Sequence, residues 1–268
     1  MAKLPRADKD LGQHYLKDKN IIEKITTNFE SEADVIIEIG PGPAVLSRQL
    51  SKKGVPYYFI EKDERFKEQL ESITPLENQY FQDALKFNWF EFIKENDLAD
   101  RKIWLVSNLP YNVSSQLFIS FLKVPAIKYM SLMFQKEVGE KTYIRENTKN
   151  QMGSLLSLSQ NYFDSKKLIL AHPGAFLPPP KVESVVVSYT RKENPIVSIE
   201  EFKSFEKFLR LCFSMKRKQL GSVLKTSIDK DKVATIFDEA KIAPTIRAEA
   251  LELTDIYNLY TEFGKVCD

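Results

Sequence analysis

The fold of this chain is decided by the stretch Lys102-Ile103-Trp104-Leu105-Val106-Ser107-Asn108-Leu109-Pro110-Tyr111. Its first half is an unbroken apolar run, which is typical of a strand that a parallel sheet buries on both faces. The run then ends in a polar residue, a proline and an aromatic. Open α/β folds bind their ligands at the carboxyl ends of such strands, so the stretch predicts both a fold class and the position of a site.

A strand, a glycine turn and a helix come before this stretch. Residues 34–39 form another apolar run, and residues 40–44 (Gly-Pro-Gly-Pro-Ala) follow it directly. Glycines at such a crossover let the backbone approach a ligand at the next helix N-terminus. The following strand, residues 57–60, ends at Glu61, which can accept hydrogen bonds from two ribose hydroxyls. A dinucleotide fingerprint would need a third glycine where Val45 stands, so we predict a nucleoside without pyrophosphate, such as S-adenosylmethionine.

The rest of the chain extends this pattern into a Rossmann-like α/β fold with a mostly parallel sheet. Residues 79–82 predict a third strand that ends at Asp83. That carboxylate can accept a hydrogen bond from the exocyclic amine of a bound adenine. An equally good interpretation is that Asp83 caps a turn. Further strands are predicted at residues 129–135, 168–170 and 184–189, the last two as a hairpin at one edge of the sheet.

The pattern changes near residue 190, beyond which only short helical segments are predicted. We therefore expect an α/β domain at residues 1–190, including an N-terminal lead at residues 1–17, and a helical domain at residues 191–268. Asp18 caps the first helix. The aromatic and the leucine just before it suggest that the end of the lead folds back onto the body.

Composition excludes several classes of protein. No uninterrupted apolar stretch approaches the ~18 residues of a membrane span, and the charged N-terminus does not resemble a secretory signal. The two cysteines and two histidines lie scattered, without the paired spacings of a zinc site. We expect a cytoplasmic protein that holds no metal and enters no membrane, and we take it to be a monomer.

Basic residues are concentrated in one part of the predicted helical domain. The chain as a whole has a formal net charge of +2, which is weak support for a nucleic-acid partner. Between residues 203 and 225, however, Glu206 is the one acid among seven basic residues. A solvated helix face and a phosphate-binding surface explain this stripe equally well.

The residues that end the central strand suit chemistry on the amino group of a nucleobase. An adenine amine is a weak nucleophile because its lone pair is delocalised into the ring. The side-chain carbonyl of Asn108 and a main-chain carbonyl of Leu109 or Pro110 can accept its two hydrogens, which favours a pyramidal nitrogen. Tyr111 offers a face on which the base can stack, worth roughly 1–3 kcal/mol. The target must be flipped or unpaired to reach this site, and Phe176, before three prolines, is our candidate for a second aromatic.

Seven short motifs follow one another through almost the whole chain. They are Leu11-Gly12-Gln13-His14-Tyr15-Leu16, Glu38-Ile39-Gly40-Pro41-Gly42, Ile60-Glu61-Lys62-Asp63, Gln82-Asp83-Ala84, Asn108-Leu109-Pro110-Tyr111-Asn112, Phe134-Gln135-Lys136-Glu137-Val138 and Phe176-Leu177-Pro178-Pro179-Pro180-Lys181-Val182-Glu183-Ser184. In this order they resemble the small-subunit ribosomal RNA adenine N6-dimethyltransferases. Each motif alone is weakly specific, whereas the seven together are very specific.

The resemblance implies a catalytic first domain, an RNA-binding second domain and a small-subunit ribosomal particle as the partner. Two methyl groups would be added to each of two adjacent adenosines near the 3′ end of the small-subunit RNA. Residues 213–220 resemble the family's basic RNA-facing segment, and residues 242–249 its late Pro-x-x-Arg-Ala-Glu element. The implied contacts are His14, Leu16, Gly40, Gly42, Glu61, Asp83 and Asn108 for S-adenosylmethionine, and Lys216, Arg217 and Lys218 for RNA.

The sequence departs from the family pattern at two positions, and three other functions fit the motifs. His14 stands where asparagine is frequent in the family, and Pro43 where leucine is usual, so cofactor affinity can differ. The first alternative is an Erm-type enzyme that modifies large-subunit RNA. The others are a DNA adenine methylase, whose motif usually has a second proline where Leu109 stands, and a non-catalytic RNA-binding relative. The intact Asn108 and Tyr111 argue against the last of these.

Overall fold

The computed structural model describes Pro5, residues 13–215 and residues 217–267, with Cys267 described in its backbone alone. Leu11 and Gly12 of the N-terminal motif and Lys216 of the basic segment lie outside the described residues. The strands of the described part are β1 (Tyr15–Leu16), β2 (Val35–Ile39), β3 (Tyr57–Glu61), β4 (Gln79–Phe81), β5 (Ile103–Asn108), β6 (Ile127–Gln135), β7 (Phe163–Ala171), β8 (Phe176–Leu177) and β9 (Ser184–Arg191).

Seven of these strands form one sheet in the order β4-β3-β2-β5-β6-β9-β7, and β1 pairs with β8 in a second, two-stranded sheet. The five strands from β4 to β6 are parallel, and β9 pairs antiparallel with β6. The predicted Rossmann-like α/β fold with a mostly parallel sheet is therefore confirmed. The two predicted late strands, β7 and β9, are neighbours at one edge, as expected.

Helices alternate with the strands and then make up the C-terminal part. No described helix has both the length and the apolar character needed to span a membrane. The α-helices are α1 (Lys19–Thr26), α2 (Ser47–Leu50), α3 (Lys67–Leu70), α4 (Trp89–Glu95), α5 (Ser114–Leu122), α6 (Lys136–Gly139), α7 (Ser154–Tyr162), α8 (Phe202–Cys212), α9 (Leu220–Leu224), α10 (Lys230–Ala240) and α11 (Leu253–Cys267).

The strand register brings the carboxyl ends of four strands to one edge of the sheet. Ile39 of β2 lies opposite Ile60 of β3 and Ser107 of β5. Glu61 at the end of β3 lies opposite Phe81 of β4. Every residue of β2 and β3 is buried, as the continuous apolar runs predict for strands covered on both faces. The polar residues that follow these strands are therefore held at the same edge.

The chain divides into two compact units. The first comprises Met1–Glu140 and Ser165–Arg191, and the second Lys141–Asp164 and Lys192–Asp268. The division after Arg191 lies next to the predicted boundary. The segment Lys141–Asp164 differs from the prediction, since sequence placed it in the α/β domain.

Side chains of the α7 segment explain this difference. Asn161 Nδ2 donates to the carbonyl of Val197 at 2.8 Å, and Asn161 Oδ1 accepts from the amide of Val197 at 3.0 Å. The amide of Lys192 donates to the carbonyl of Tyr162 at 2.9 Å, and the Tyr162 hydroxyl donates to the carbonyl of Ser198 at 3.1 Å. These bonds join α7 to the chain that enters the C-terminal helices.

A first prediction concerns Gly221 in the second unit, where the backbone passes close to Pro244. The amide of Gly221 donates to the carbonyl of Pro244 at 2.9 Å. A Cβ built on Gly221 would lie 2.8 Å from Pro244 Cβ. We therefore expect Gly221→Ala to destabilise the protein by about 1–3 kcal/mol and to lower its melting temperature. The control is Gly174→Ala, because a Cβ there meets no atom within 4 Å; equal melting temperatures of the two variants would contradict the prediction.

Candidate active site

The carboxyl ends of β2, β3, β4 and β5 surround one pocket, and the N-terminal lead contributes a further wall. All of this pocket lies in the first unit. The sequence-predicted residues that line it are His14, Leu16, Gly40, Gly42, Glu61, Asp83, Asn108, Leu109, Pro110 and Tyr111. Phe176 is absent from this lining, and the predicted RNA-contacting residues belong to the second unit.

The glycine turn after β2 forms the floor on one side of the pocket. Gly40 and Gly42 have φ angles of +67° and +51°, a left-handed conformation that glycine adopts without steric cost. A Cβ on Gly40 would meet no atom within 4 Å. Backbone conformation, rather than crowding by protein atoms, is therefore what requires glycine there. The open space beside Gly40 leaves room for a ligand to approach the backbone.

Glu61 ends β3 and is tied to the turn. Its Oε2 accepts from the amide of Gly42 at 2.9 Å, and its Oε1 accepts from the amide of Asp63 at 2.8 Å. Burial raises the pKa of Glu61, and these backbone hydrogen bonds act in the opposite direction. Each carboxylate oxygen has two lone pairs, so both can accept a further bond from a ligand hydroxyl.

Asp83 follows β4 and makes the turn-capping contact that sequence allowed. Its Oδ1 accepts from the amide of Leu85 at 3.0 Å, which caps the 3₁₀ turn Ala84–Lys86. Its Oδ2 pairs with Lys62 Nζ at 2.9 Å, and the Lys62 ammonium holds the pKa of Asp83 below its usual value. The side chain also lines the pocket. The cap therefore positions an ionised carboxylate at the third strand end.

Asn108 is oriented by a backbone group of the N-terminal lead. Its Nδ2 donates to the carbonyl of His14 at 2.9 Å. A carbonyl can only accept, so the amide nitrogen must face His14 and Oδ1 must face the other way. Within the described residues, Oδ1 has no hydrogen-bond partner. Asn108 therefore presents a free acceptor that lines the pocket.

The main chain beside Asn108 offers a second acceptor. The carbonyl of Pro110 accepts from the amide of Val113 at 3.2 Å. The carbonyl of Leu109 accepts no hydrogen bond from the described residues, although the Leu109 amide donates to Met133 O at 3.2 Å. Of the two carbonyls that sequence allowed, that of Leu109 is therefore the available one. Proline at the next position disfavours the helical conformation that would have paired it.

The hydroxyl and the ring of Tyr111 each contact a neighbouring side chain. The hydroxyl is hydrogen-bonded to Ser184 Oγ at 2.6 Å, and burial raises the pKa of Tyr111. The phenol is therefore neutral at physiological pH. The His14 ring is stacked on the Tyr111 ring, with centroids 5.4 Å apart and planes inclined by 26°.

The structure places Phe176, our candidate for a second base-stacking aromatic, in the core and away from the pocket lining. Phe176 is 1% exposed and belongs to the hydrophobic core, whereas the next residue, Leu177, is 58% exposed. Phe176 lies opposite Leu16 in the β1–β8 pair. Because side chains alternate across a strand, pairing with the lead turns Phe176 inward and Leu177 outward. Sequence correctly predicted a stiff loop but not this alternation.

The end of the N-terminal lead folds back onto the body, as predicted. Gln13 Nε2 donates to Asp63 Oδ2 at 2.8 Å, and the Tyr15 hydroxyl donates to Gln13 Oε1 at 2.8 Å. The Arg65 guanidinium beside Asp63 holds the pKa of that carboxyl below its usual value. Sequence reasoning missed the link between Gln13 and Asp63. The only signal was the presence of both residues in motifs of one family.

Sequence also missed the chemistry of Glu38, the acid before the glycine turn. Glu38 is buried, lines the pocket, and accepts from the Tyr57 hydroxyl at 2.5 Å. Burial raises the pKa of Glu38 to about 7, against the opposing effect of the Tyr57 hydrogen bond. This carboxyl therefore titrates near neutral pH.

A second prediction follows for the pH dependence of stability. The ordinary pKa of this carboxyl is 4.5, and in the folded protein it is about 7. At a pH between these two values, Glu38 of the folded protein keeps a proton that the unfolded chain releases. Stability must therefore fall as pH rises through this window, by on the order of 3 kcal/mol in total. Glu61, whose pKa is also raised, acts in the same direction.

We expect Glu38→Gln to flatten the fall in melting temperature between pH 5 and 7, measured without cofactor. The matched control, Glu68→Gln on the exposed surface of α3, should leave the wild-type pH dependence in place. An unchanged pH dependence in Glu38→Gln would contradict the prediction.

The basic residues of the stripe that the structure describes lie on the exposed surface of the second unit. Phe205, Phe208 and Leu209 form part of the buried face of α8, and Lys203 and Lys207 lie on its exposed face. Arg210 is also exposed and pairs with Glu206 at 2.7 Å. Of the predicted RNA contacts, Arg217 and Lys218 are exposed. Among the described residues, no group of three or more His, Cys, Asp or Glu side chains is arranged to hold a metal.

Comparison with known proteins places these features in a family. Residues 5–265 match the family described as Ribosomal RNA adenine dimethylase. A protein of Clostridium botulinum (strain Okra) named Ribosomal RNA small subunit methyltransferase A is 35% identical over 267 residues, covering 97% of this chain and 93% of the relative.

Two solved structures show the same fold. A dimethyladenosine transferase from Plasmodium falciparum has a TM-score of 0.75 at 24% identity, covering 95% of this chain and 98% of the other. The 23S rRNA methyltransferase ErmE has a TM-score of 0.68 at 20% identity, covering 93% of this chain and 99% of the other. The family match spans both units and includes every motif that lines the pocket. This chain belongs to the ribosomal RNA adenine dimethylase family.

Proposed function

We propose that this enzyme transfers methyl groups from S-adenosylmethionine to the N6 amines of two adjacent adenosines near the 3′ end of small-subunit ribosomal RNA. The observation that carries the proposal is the orientation of Asn108, whose Nδ2 is held by His14 O while Oδ1 is left free. The name and 35% identity of the Clostridium relative support the choice of the small subunit.

Three independent features of the pocket suit the binding of S-adenosylmethionine. The left-handed backbone at Gly40 and Gly42 leaves open space beside the turn. The Glu61 carboxylate at the next strand end can accept from the ribose hydroxyls, and Asp83 can accept from the adenine amine. Leu16 and His14 also line the pocket. When bound, S-adenosylmethionine supplies an electrophilic methyl group on a sulfonium.

The residues of the strand end act on the target amine. Asn108 Oδ1 and the Leu109 carbonyl each accept one amine hydrogen, which favours a pyramidal nitrogen with an available lone pair. Both acceptors are in place before the substrate arrives, so they stabilise the positive charge that develops on nitrogen without reorganising. Pro110 keeps the Leu109 carbonyl out of helical hydrogen bonding. Tyr111 supplies the stacking face for a base that has left its helix.

The C-terminal helical segments of residues 191–268 supply the RNA-binding surface in this proposal. The exposed lysines and arginines of the stripe are spaced along α8 and the loop after it. Phosphate contacts of this kind position an RNA and make its binding depend on salt. The proposal further holds that the enzyme acts as a monomer in the cytoplasm, on an assembling small-subunit particle.

A third prediction tests this surface. Replacement of Lys216, Arg217 and Lys218 by alanine should weaken binding to small-subunit particles and reduce the slope of log affinity against log salt by up to about 3. Binding is measured at several salt concentrations. The matched control replaces Lys166 and Lys167, two exposed lysines of β7 in the first unit. If both variants have the same slope of log affinity against log salt, the stripe is a solvated helix face and not an RNA-binding surface.

The Erm-type alternative predicts a different RNA. The likeness to ErmE, at 20% identity, establishes the fold alone and does not favour either substrate. Mapping N6-methylated adenosines in ribosomal RNA from a strain that lacks this protein separates the two. Loss of methylation from small-subunit RNA supports our proposal, and loss from large-subunit RNA supports the alternative. No loss from either RNA would support a non-catalytic relative.

A further inference from the structure

The side chain of His14 stacks on one face of the Tyr111 ring, the ring against which the target base would stack. The His14 and Tyr111 rings are 5.4 Å apart between centroids. The hydrogen bond between the Tyr111 and Ser184 hydroxyls fixes the orientation of the tyrosine ring. A residue of the N-terminal lead therefore lies against a face of the ring on which the proposed function stacks adenine.

A base does not fit between the two rings at this separation. An intervening aromatic layer needs about 7 Å between the outer rings, which is twice the ~3.5 Å contact distance of carbon atoms. One of the two rings must therefore move before adenine can stack on this face of Tyr111.

The backbone around His14 is held at several points. The His14 carbonyl accepts from Asn108, and the amide of Lys17 donates to Ala175 O at 2.8 Å. Tyr15 and Leu16 pair with β8, and Gln13 is bonded to Asp63. Moving this backbone would break all of these contacts and would also release Asn108.

The His14 side chain is held less firmly. Its Nδ1 lies 2.8 Å from the carbonyl of Pro178, which can only accept, so Nδ1 carries the proton. That hydrogen bond and the stack on Tyr111 are the polar and aromatic contacts of the imidazole within the described residues. Rotation of the side chain removes the ring from Tyr111 and leaves the backbone bonds intact.

We propose that His14 is a gate on the base-binding face of Tyr111. The imidazole stacks on this face and rotates away when the adenine enters, so base and imidazole compete for the same surface. The gate selects for a base that gains more than stacking, namely one whose amine also bonds to Asn108 and Leu109. The inference rests on the proposed function.

The first test observes the His14 ring directly. The chain has two histidines, so protein labelled with ¹³C at histidine Cε1 gives two ring signals, which His172→Ala assigns. The Tyr111 ring current should displace the His14 signal in the free enzyme, and Tyr111→Ala should remove that displacement. The probe is an RNA hairpin with two adjacent unpaired adenosines, added to saturation with S-adenosylhomocysteine. The gate predicts that the hairpin moves the His14 signal to its position in Tyr111→Ala. A signal that keeps its displacement overturns the gate.

The second test is kinetic and uses undermethylated small-subunit particles. His14→Ala and His14→Asn should lower the KM for the particle by ~2- to 10-fold, because the base no longer competes with a stacked ring. His172→Ala, with its exposed side chain, is the control and should leave this KM unchanged. A raised KM in both His14 variants overturns the gate, since it would mean that the imidazole helps to hold the base. Absence of methylation by the unmodified enzyme instead overturns the proposed function.

Discussion

Asn108→Ala should lower the rate of methyl transfer by roughly 100- to 1000-fold, the usual effect of removing one preorganised hydrogen-bonding group from a reacting centre. The variant loses the acceptor for one amine hydrogen, and the Leu109 carbonyl alone cannot hold the amine in the reactive geometry. The measurement is single-turnover transfer of labelled methyl groups into undermethylated small-subunit particles.

The affinity for S-adenosylmethionine should change much less in this variant. Asn108 also loses its bond to His14 O, and a single bond of this kind contributes about 0.5–1.5 kcal/mol, or at most ~10-fold. The control is Gln116→Ala, which alters an exposed residue of the following helix, α5. Transfer at the wild-type rate by Asn108→Ala would reject the assigned role, and equal losses of rate and cofactor affinity would make Asn108 a binding residue.

Glu61→Ala should weaken the binding of S-adenosylmethionine by ~100-fold or more. A hydrogen bond to a charged acceptor is worth about 1.5–3 kcal/mol, and the carboxylate is placed to accept two from a ribose. The variant also leaves the amides of Gly42 and Asp63 without their acceptors. The affinity is measured by calorimetric titration of the cofactor.

Glu61→Gln separates the two roles of this side chain. Its single carbonyl oxygen can still accept from one of the backbone amides and so partly supports the turn, but it cannot serve two ribose hydroxyls as well. We expect an affinity between those of wild type and Glu61→Ala. Glu64→Ala, an exposed acid three residues further on, should bind the cofactor as wild type does. An affinity of Glu61→Ala within threefold of wild type would contradict the assignment.

The sheet and most of the pocket could be predicted because their signals are local in sequence. Continuous apolar runs identified β2, β3 and β5, and in a parallel sheet the residues after such runs come to one edge. Glu61, Asp83 and Asn108 each follow a strand directly, so their convergence needs no tertiary information. The glycine turn after β2 was predictable for the same reason.

The remaining features depend on contacts between distant segments. Phe176 turns inward because β8 pairs with the N-terminal lead, and nothing near Phe176 in sequence specifies that partner. Asn161 joins α7 to Val197 across 36 residues, which moves a segment between strands into the second unit. The stack of His14 on Tyr111 likewise joins two motifs that are almost a hundred residues apart. Pairings of this kind leave no periodicity by which a single sequence would reveal them.

The most direct test of the central claim is methylation by the purified enzyme itself. Undermethylated small-subunit particles are incubated with labelled S-adenosylmethionine, and the RNA is mapped by mass spectrometry. Our account predicts two methyl groups on each of two adjacent adenosines near the 3′ end, at no other position, and methyl transfer roughly 100- to 1000-fold slower with Asn108→Ala. Label on large-subunit RNA offered in parallel, on a non-adenosine base, or on neither RNA would contradict it.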